Sequence, residues 1–370
     1  MILKPSFYDE FHCIGGDCTF TCCMDWTIPL DREETARHLT ADGEYNDKPL
    51  VLNDDGTAKL RFREDGRCHF LNERGLCRLV LEHGEEFLNT TCHVFPRFEE
   101  SYNNVCEKHL SNACPAVLDF FLQMRSPMSF MAEDSDESSN VLIDQIMLDL
   151  REASIDLLQT IGLPLWVKLF ILQKVSHGLV SEYDPVKAIS LLRDDDYLIE
   201  VFRTVDAVPV SPKKSLLLLY QVIRDIGFHK KNLGAYRTYI KPYEDKLELL
   251  LDPKDEVLKK WDEFRNGFDR YQEFFEHFCV NYLFTHTMAV TQASQTESMV
   301  KTLLLEYIMI RGVLFLCYLK NDRISDTDVK NIAVFYARMY EHGLEGTGGF
   351  LSENLNNPWF MDPGLILMMK

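Results

Sequence analysis

The stretch CIGGDCTFTCCMDW (residues 13–26) sets Cys13, Cys18, Cys22 and Cys23 within eleven positions. Working outward, CHFLNERGLC adds Cys68 and Cys77, TCHVFPRF adds Cys92, and LSNACP adds Cys114, with Cys106 between the last two. Nine of the eleven cysteines precede residue 115. A disulfide scaffold belongs to short secreted chains. This chain has 370 residues, and its start, MILKPSFYDEFHC, carries neither a long apolar run nor a small-residue cleavage site, so no signal peptide is expected. The thiols are therefore expected to serve metal or redox chemistry, since soft sulfur selects zinc, copper(I) or iron–sulfur centres.

Spacing bears on which. Structural zinc is usually held by paired C-x2–4-C knuckles. Only Cys13/Cys18 and Cys18/Cys22 come near that form, and Cys68/Cys77 is too wide. An iron–sulfur cluster, whose irons each take one thiolate, suits scattered loops better; zinc stays open, as does the choice between one site and two. In extended backbone adjacent side chains face apart, so Cys22 and Cys23 are expected to point to different places. By the same argument His12, His69 and His93, each next to a cysteine, are expected to lie outside the ligand set. Cys279 and Cys317 fall in apolar helices and read as small core residues. Two nucleotide or cluster motifs fail: C-x3-C-x2-C breaks at Asp25, and GTGGF (346–350) lacks the G-x-G-x-x-G spacing and reads as a turn.

The remainder is predicted to be mostly α. Residues 1–125 read as a loop-rich, cysteine-rich metal or cluster-binding domain. Residues 126–140, SPMSFMAEDSDESSN, read as a polar linker, and 141–370 as an all-α domain. Ser139 or Asn140 is expected to cap a helix carrying Leu142, Ile146 and Leu150 on one face. Trp261, Phe264, Phe268, Tyr271, Phe275, Phe278 and Tyr282 recur at steps of three and four and predict one long helix with a buried aromatic stripe. The run LLLEYIMIRGVLFLCYL from Leu303 contains Glu306 and Arg311, which marks a buried helix and not a membrane span. The formal charge of −19 argues against nucleic acid and anionic lipid and favours a basic partner. A cytoplasmic location is expected.

In their order, FHCIGGDCTFTCCMDWTIPLD, CHFLNERGLCRLVLEHGEEFLNTTCHVFPRF, LSNACP and FEHFCVNYLFTHTM (275–288) resemble the flagellin lysine-N-methylase family. The amino-terminal part is similar to a broader group of zinc- or iron-chelating cysteine domains. The resemblance implies methyl transfer from S-adenosylmethionine to lysines of flagellin and a [4Fe-4S] cluster. Its matching cysteines are Cys13, Cys18, Cys22, Cys23, Cys68, Cys77, Cys92 and Cys114, whereas Cys106 has no counterpart. Under this reading Asp25 and Glu107 are candidate bases for the lysine ammonium. Trp26 and Tyr282 are candidates to face a sulfonium, and Arg97 to hold a carboxylate. A non-enzymatic metal module and a redox sensor are the competing readings.

Overall fold

The computed structural model describes residues 1–42, 49–135, 139–227, 233–286, 292–341 and 361–370. The GTGGF segment and positions 287–288 lie outside the described residues. Short strands and helices alternate in the first third: β1 (Ile2–Pro5), β2 (Pro29–Leu30), α1 (Arg32–Asp42), β3 (Leu50–Leu52) and β4 (Ala58–Leu60). There follow α2 (Arg78–His83), α3 (Thr90–Val94), β5 (Arg97–Tyr102), β6 (Val105–Leu110), α4 (Pro115–Gln123) and β7 (Phe130–Glu133). The strands form two sheets, ordered β5-β6-β1-β7 and β2-β4-β3. Asn103 and Asn104, at φ 43° and 63°, make the two-residue left-handed turn between β5 and β6, a conformation that asparagine tolerates and that matches strand twist.

Helices then take over, as composition predicted: α5 (Gln145–Gln159), α6 (Leu165–Ser181), α7 (Pro185–Leu192), α8 (Asp195–Asp206) and α9 (Pro212–Val222). The series continues with α10 (Asp255–Phe268), α11 (Gln272–His286), α12 (Ala293–Asn321), α13 (Asp326–Glu341) and α14 (Asp362–Met369). Their starts obey local chemistry. Asp184 and Asp194 accept amide hydrogen bonds at the ends of α7 and α8, and prolines open α4, α7, α9 and α14. The fold is mostly α.

Three sequence expectations need correction in detail. Phe130–Glu133, within the proposed linker, is strand β7 and pairs antiparallel with β1. The cap of α5 is Asp144, whose Oδ1 accepts from Ile146 N at 3.2 Å, while the Ser139 hydroxyl donates to Ser101 O at 2.8 Å. Leu142 lies before that helix and is 83 % exposed. The aromatic stripe is broken after Phe268 by a 3-10 turn at Asp269–Tyr271, next to Gly267, a poor helix former. All seven rings are nevertheless buried, as are Cys279 and Cys317. Helix α12 is long and apolar enough to cross a membrane, but 89 % of its most apolar window is buried within this fold.

Two cores result. A small one gathers Ile28, Leu30, Leu50, Leu60, Phe70 and Leu79 around the three-stranded sheet. The large one unites the helices with Phe7, Phe11, Phe20, Met24, Leu110 and Val117 from the first 125 residues. Part of the cysteine-bearing segment thus shares the large core with the helices, while the three-stranded sheet keeps its own. Glu107 on β6 and Arg151 on α5 reinforce that union with a bidentate pair, Nη1–Oε2 2.9 Å and Nη2–Oε1 2.6 Å, both side chains buried. Tyr102 donates to the same carboxylate at 2.5 Å. Burying either charge alone would cost several kcal/mol, so the pair holds sheet and helix in register. Close approach also demands glycine: a Cβ on Gly234 would lie 1.9 Å from the Asp65 carbonyl oxygen.

His109 stands between the rings of Phe98 and Phe284, each about 4.8 Å away centroid to centroid. Burial, then the Arg151 and His286 charges, push its pKa down from 6.5 to about 3; Glu107 is 3.7 Å distant. A neutral native histidine means that the unfolded chain binds the extra proton, so stability is lost as pH falls below 6.5 toward 3. Urea titrations across that range are expected to show a shallower acid loss for His109→Phe than for the wild type; parallel slopes would contradict this.

Candidate metal centre

The cysteine loops are placed by turns and short helices. Cys77 and Cys114 sit at the N-cap positions of α2 and α4, and Cys92 lies in α3. Asn89 grips Cys92 twice, its Oδ1 accepting from Cys92 N at 2.9 Å and its Nδ2 donating to Sγ at 3.3 Å. Cys68 N donates to Cys23 O at 2.9 Å, which joins the first and second cysteine blocks. Cys23, Cys68, Cys77 and Cys92 all pack into the small core, whereas Cys114 belongs to the large one. Cys13 is exposed.

Burial raises the pKa of Cys68, Cys92 and Cys114 to about 12 and lifts Cys18 and Cys77 as well. Amide donors oppose that rise in a repeated pattern. The N–H of Phe20 acts on Cys18, that of Phe70 on Cys68, Leu79 and Val80 on Cys77, and Ala116 and Val117 on Cys114. At Cys77 and Cys114 the thiols stand off these amides without closing a side-chain cap hydrogen bond. Donors two and three residues ahead of a thiol favour its anionic form, the form that binds metal.

Cys22 is the hub. Its charge is felt by Cys18, Cys77, Cys92 and Cys114. Its own pKa is driven up by a hydrogen bond with the Cys23 side chain and then by burial. The two adjacent thiols therefore meet, contrary to the extended-chain expectation, because the backbone bends at these residues. Cys13 connects through Cys18, and Cys68 through Cys77 and Cys92. Among the described residues, however, no three His, Cys, Asp or Glu side chains are gathered tightly enough to hold a single metal ion. Cys106 is buried on β6, His12 and His93 are exposed, and the His69 carbonyl accepts from Arg63 and Arg78.

Sequence reasoning missed Arg338. This α13 side chain is 5 % exposed and reaches across to the cysteine blocks. Nε donates to Ala113 O at 3.1 Å, Nη1 to Thr21 O at 2.9 Å and Nη2 to Phe20 O at 3.0 Å. The guanidinium lies 4.2 Å from the Phe20 ring centroid and 5.7 Å from that of Trp26. Burial lowers its pKa, and the facing groups that raise it are Cys22, Cys114, Cys18 and Tyr239. Nothing in its local sequence, RMYEHG, announces this role, since its partners lie more than two hundred residues away.

The other candidates have structural employment. Both oxygens of Asp25 accept amides where a helical turn begins, from Gly234 N at 3.1 Å and Ala235 N at 2.6 Å. Glu107 is spent on Arg151. Arg97 donates to Phe11 O at 2.7 Å and stacks on that ring. Tyr282 is buried against His286. Trp26 borders a cavity of about 20 Å³, room for one water, together with Phe20, Asp25, Phe335 and Arg338.

With this geometry in place, comparison with known proteins is informative. The family model described as the FliB lysine N-methylase C-terminal domain matches residues 151–361, more than half of the chain. The chain is 28 % identical to the "Flagellar biosynthetic protein FliU" of Salmonella muenchen over 149 residues, 38 % of this chain and 88 % of that protein. It is 32 % identical to the "Lysine-N-methylase" of Salmonella choleraesuis (strain SC-B67) over 124 residues, 31 % of each chain. The Salmonella typhimurium protein of the same name matches at 31 % identity over 124 residues, again 31 % of each chain. The match thus spans under a third of either lysine-N-methylase. No solved structure matches.

Replacing Arg338 by Ala releases the three carbonyls it holds and so opens the loops that carry the buried thiols. Pulse alkylation read by mass spectrometry is expected to label Cys18, Cys22 and Cys114 faster in Arg338→Ala, with Cys13 unchanged and Arg338→Lys intermediate. Equal labelling of all four in wild type and variant would show that Arg338 does not hold the loops.

Proposed function

The chain belongs to the family of the FliB lysine N-methylase C-terminal domain, and from that membership we propose that it is a protein-lysine N-methyltransferase. We further propose S-adenosylmethionine as donor, flagellin as the protein substrate and a cytoplasmic site of action. The relatives' printed names, flagellar and lysine-methylating, support the reaction and its context. The charge of −19 suits a substrate segment that presents lysines.

The donor set fits an iron–sulfur cluster better than zinc. Structural zinc is usually held by paired C-x2–4-C knuckles, a form that only Cys13/Cys18 and Cys18/Cys22 approach. Eight thiols spread around Cys22 suit a larger body whose irons each take one thiolate. Four of Cys13, Cys18, Cys22, Cys23, Cys68, Cys77, Cys92 and Cys114 would hold one [4Fe-4S] cluster, or all eight two such clusters, and when bound a cluster supplies electron-transfer or Lewis-acid chemistry. The flanking amides and Arg338 would offset its negative charge.

A lysine side chain has a pKa of about 10.4 and must lose its proton before it accepts a methyl group. Neither acid singled out in the sequence serves that step freely: Glu107 is locked to Arg151, and Asp25 caps a helical turn. Desolvation of the incoming ammonium would lower its pKa, and the proton would then pass to water.

Anaerobically purified protein incubated with S-adenosylmethionine and flagellin is expected to add methyl mass to flagellin lysines. Protein with intact metal content that adds none would overturn the enzymatic reading.

A further inference from the structure

A second concavity lies away from the cysteines, where the start of α6 meets the α10–α11 junction, the middle of α12 and the end of α14. Its volume is about 420 Å³, within the range of small-ligand sites. Trp166 and Tyr307 are among its aromatic walls, and Arg265, Arg311 and Asp269 are its charged ones.

The charges are arranged for a zwitterion. Lys370, at the rim, is matched by Asp206 at 3.5 Å, and Arg265 by Asp262 at 3.2 Å. Arg311 is 5 % exposed, donates to Met368 O at 2.6 Å and stands 5.0 Å from the Trp261 ring centroid. Asp269 is the carboxylate in its electrostatic reach. The cleft is therefore close to neutral, each of its three cations being answered by a carboxylate. Arg265 gives Nη1 to Lys370 O at 2.8 Å and Nη2 to Asp262 at 3.2 Å, while its Nε is buried and has no hydrogen-bond partner among the described residues. A buried donor left unsatisfied costs about 1–3 kcal/mol, so a ligand oxygen there would relieve a standing penalty.

From these features we propose that this cleft binds the methyl donor, an amino-acid-bearing adenosine sulfonium; the assignment rests on the methyltransferase reading above. Arg265 receives the carboxylate, with Arg311 deepening the positive wall, and Asp269 receives the ammonium. The half-buried Trp166 indole offers a stacking face for adenine. The Tyr307 ring, which lines the cleft, would meet the sulfonium, an attraction of roughly 0.5–2 kcal/mol. Each part of the donor meets a group of matching chemistry, which neither an isolated phosphate nor a purely apolar ligand does.

The test is direct binding of S-adenosylhomocysteine to the full chain by equilibrium dialysis, with no turnover required. Trp166→Ala and Asp269→Asn are expected to weaken binding at least about tenfold, the exposed Asp269→Asn with thermal melting unchanged. Trp26→Ala, beside the cysteines, is expected to bind as the wild type. Adenosine or methionine alone is expected to bind more weakly than the joined molecule. Wild-type affinity in both cleft variants would overturn the assignment and leave the methyltransferase reading standing. No binding by the wild type would overturn both.

Discussion

A buried guanidinium has to be answered by something, and the way Arg338 is answered organises this molecule. Among the described residues it makes no ion pair; three main-chain carbonyls take its hydrogen bonds, two from the first cysteine block and one from the third. Those carbonyls come from segments with little regular structure of their own. Phe20 and Ala113 share the large core, and the cation fixes how their carbonyls and that of Thr21 converge. The thiols of Cys18, Cys22 and Cys114 then stand where a positive charge favours their anionic form.

Other interior cations are treated differently, and the contrast is instructive. Arg151 meets a carboxylate bidentately, the strongest pairing available to it. Arg311 meets one carbonyl and aromatic faces, and so leaves electrostatic capacity directed at an open cleft. Arg338 meets carbonyls, rings and thiols. Only the Arg151 pair is complete in itself; the other two sit where a bound anionic group would add to what they have. On the proposed reading, one faces the metal-holding thiols and the other the methyl donor.

Much of the architecture could be read from the chain itself. The three- and four-residue recurrence from Trp261 to Tyr282 reports a buried helical face, and the apolar run around Glu306 and Arg311 reports a core helix, because both signals are local. The break after Phe268 is hidden, since a single 3-10 turn preserves the same face. Strand β7 is hidden for a different reason: SPMSFMAEDSDESSN is polar because β7 forms the edge of its sheet, and its pairing with β1 is made across the whole amino-terminal segment. Cysteine spacing marks the thiols as a set, but the backbone bend at Cys22 and Cys23 is not encoded in composition. Arg338 and the α6–α12 cleft are illegible in sequence because every contact that defines them is long-range.

The account as a whole depends on thiols that converge on iron beside a buried cation. Its most direct measurement is the iron, zinc and acid-labile sulfide content of anaerobically purified protein, taken with its visible absorption spectrum. Iron and sulfide in equal amounts, with broad visible absorbance that bleaches on reduction, is the expected result. Colourless protein that lacks iron and still methylates lysine at full rate would contradict it.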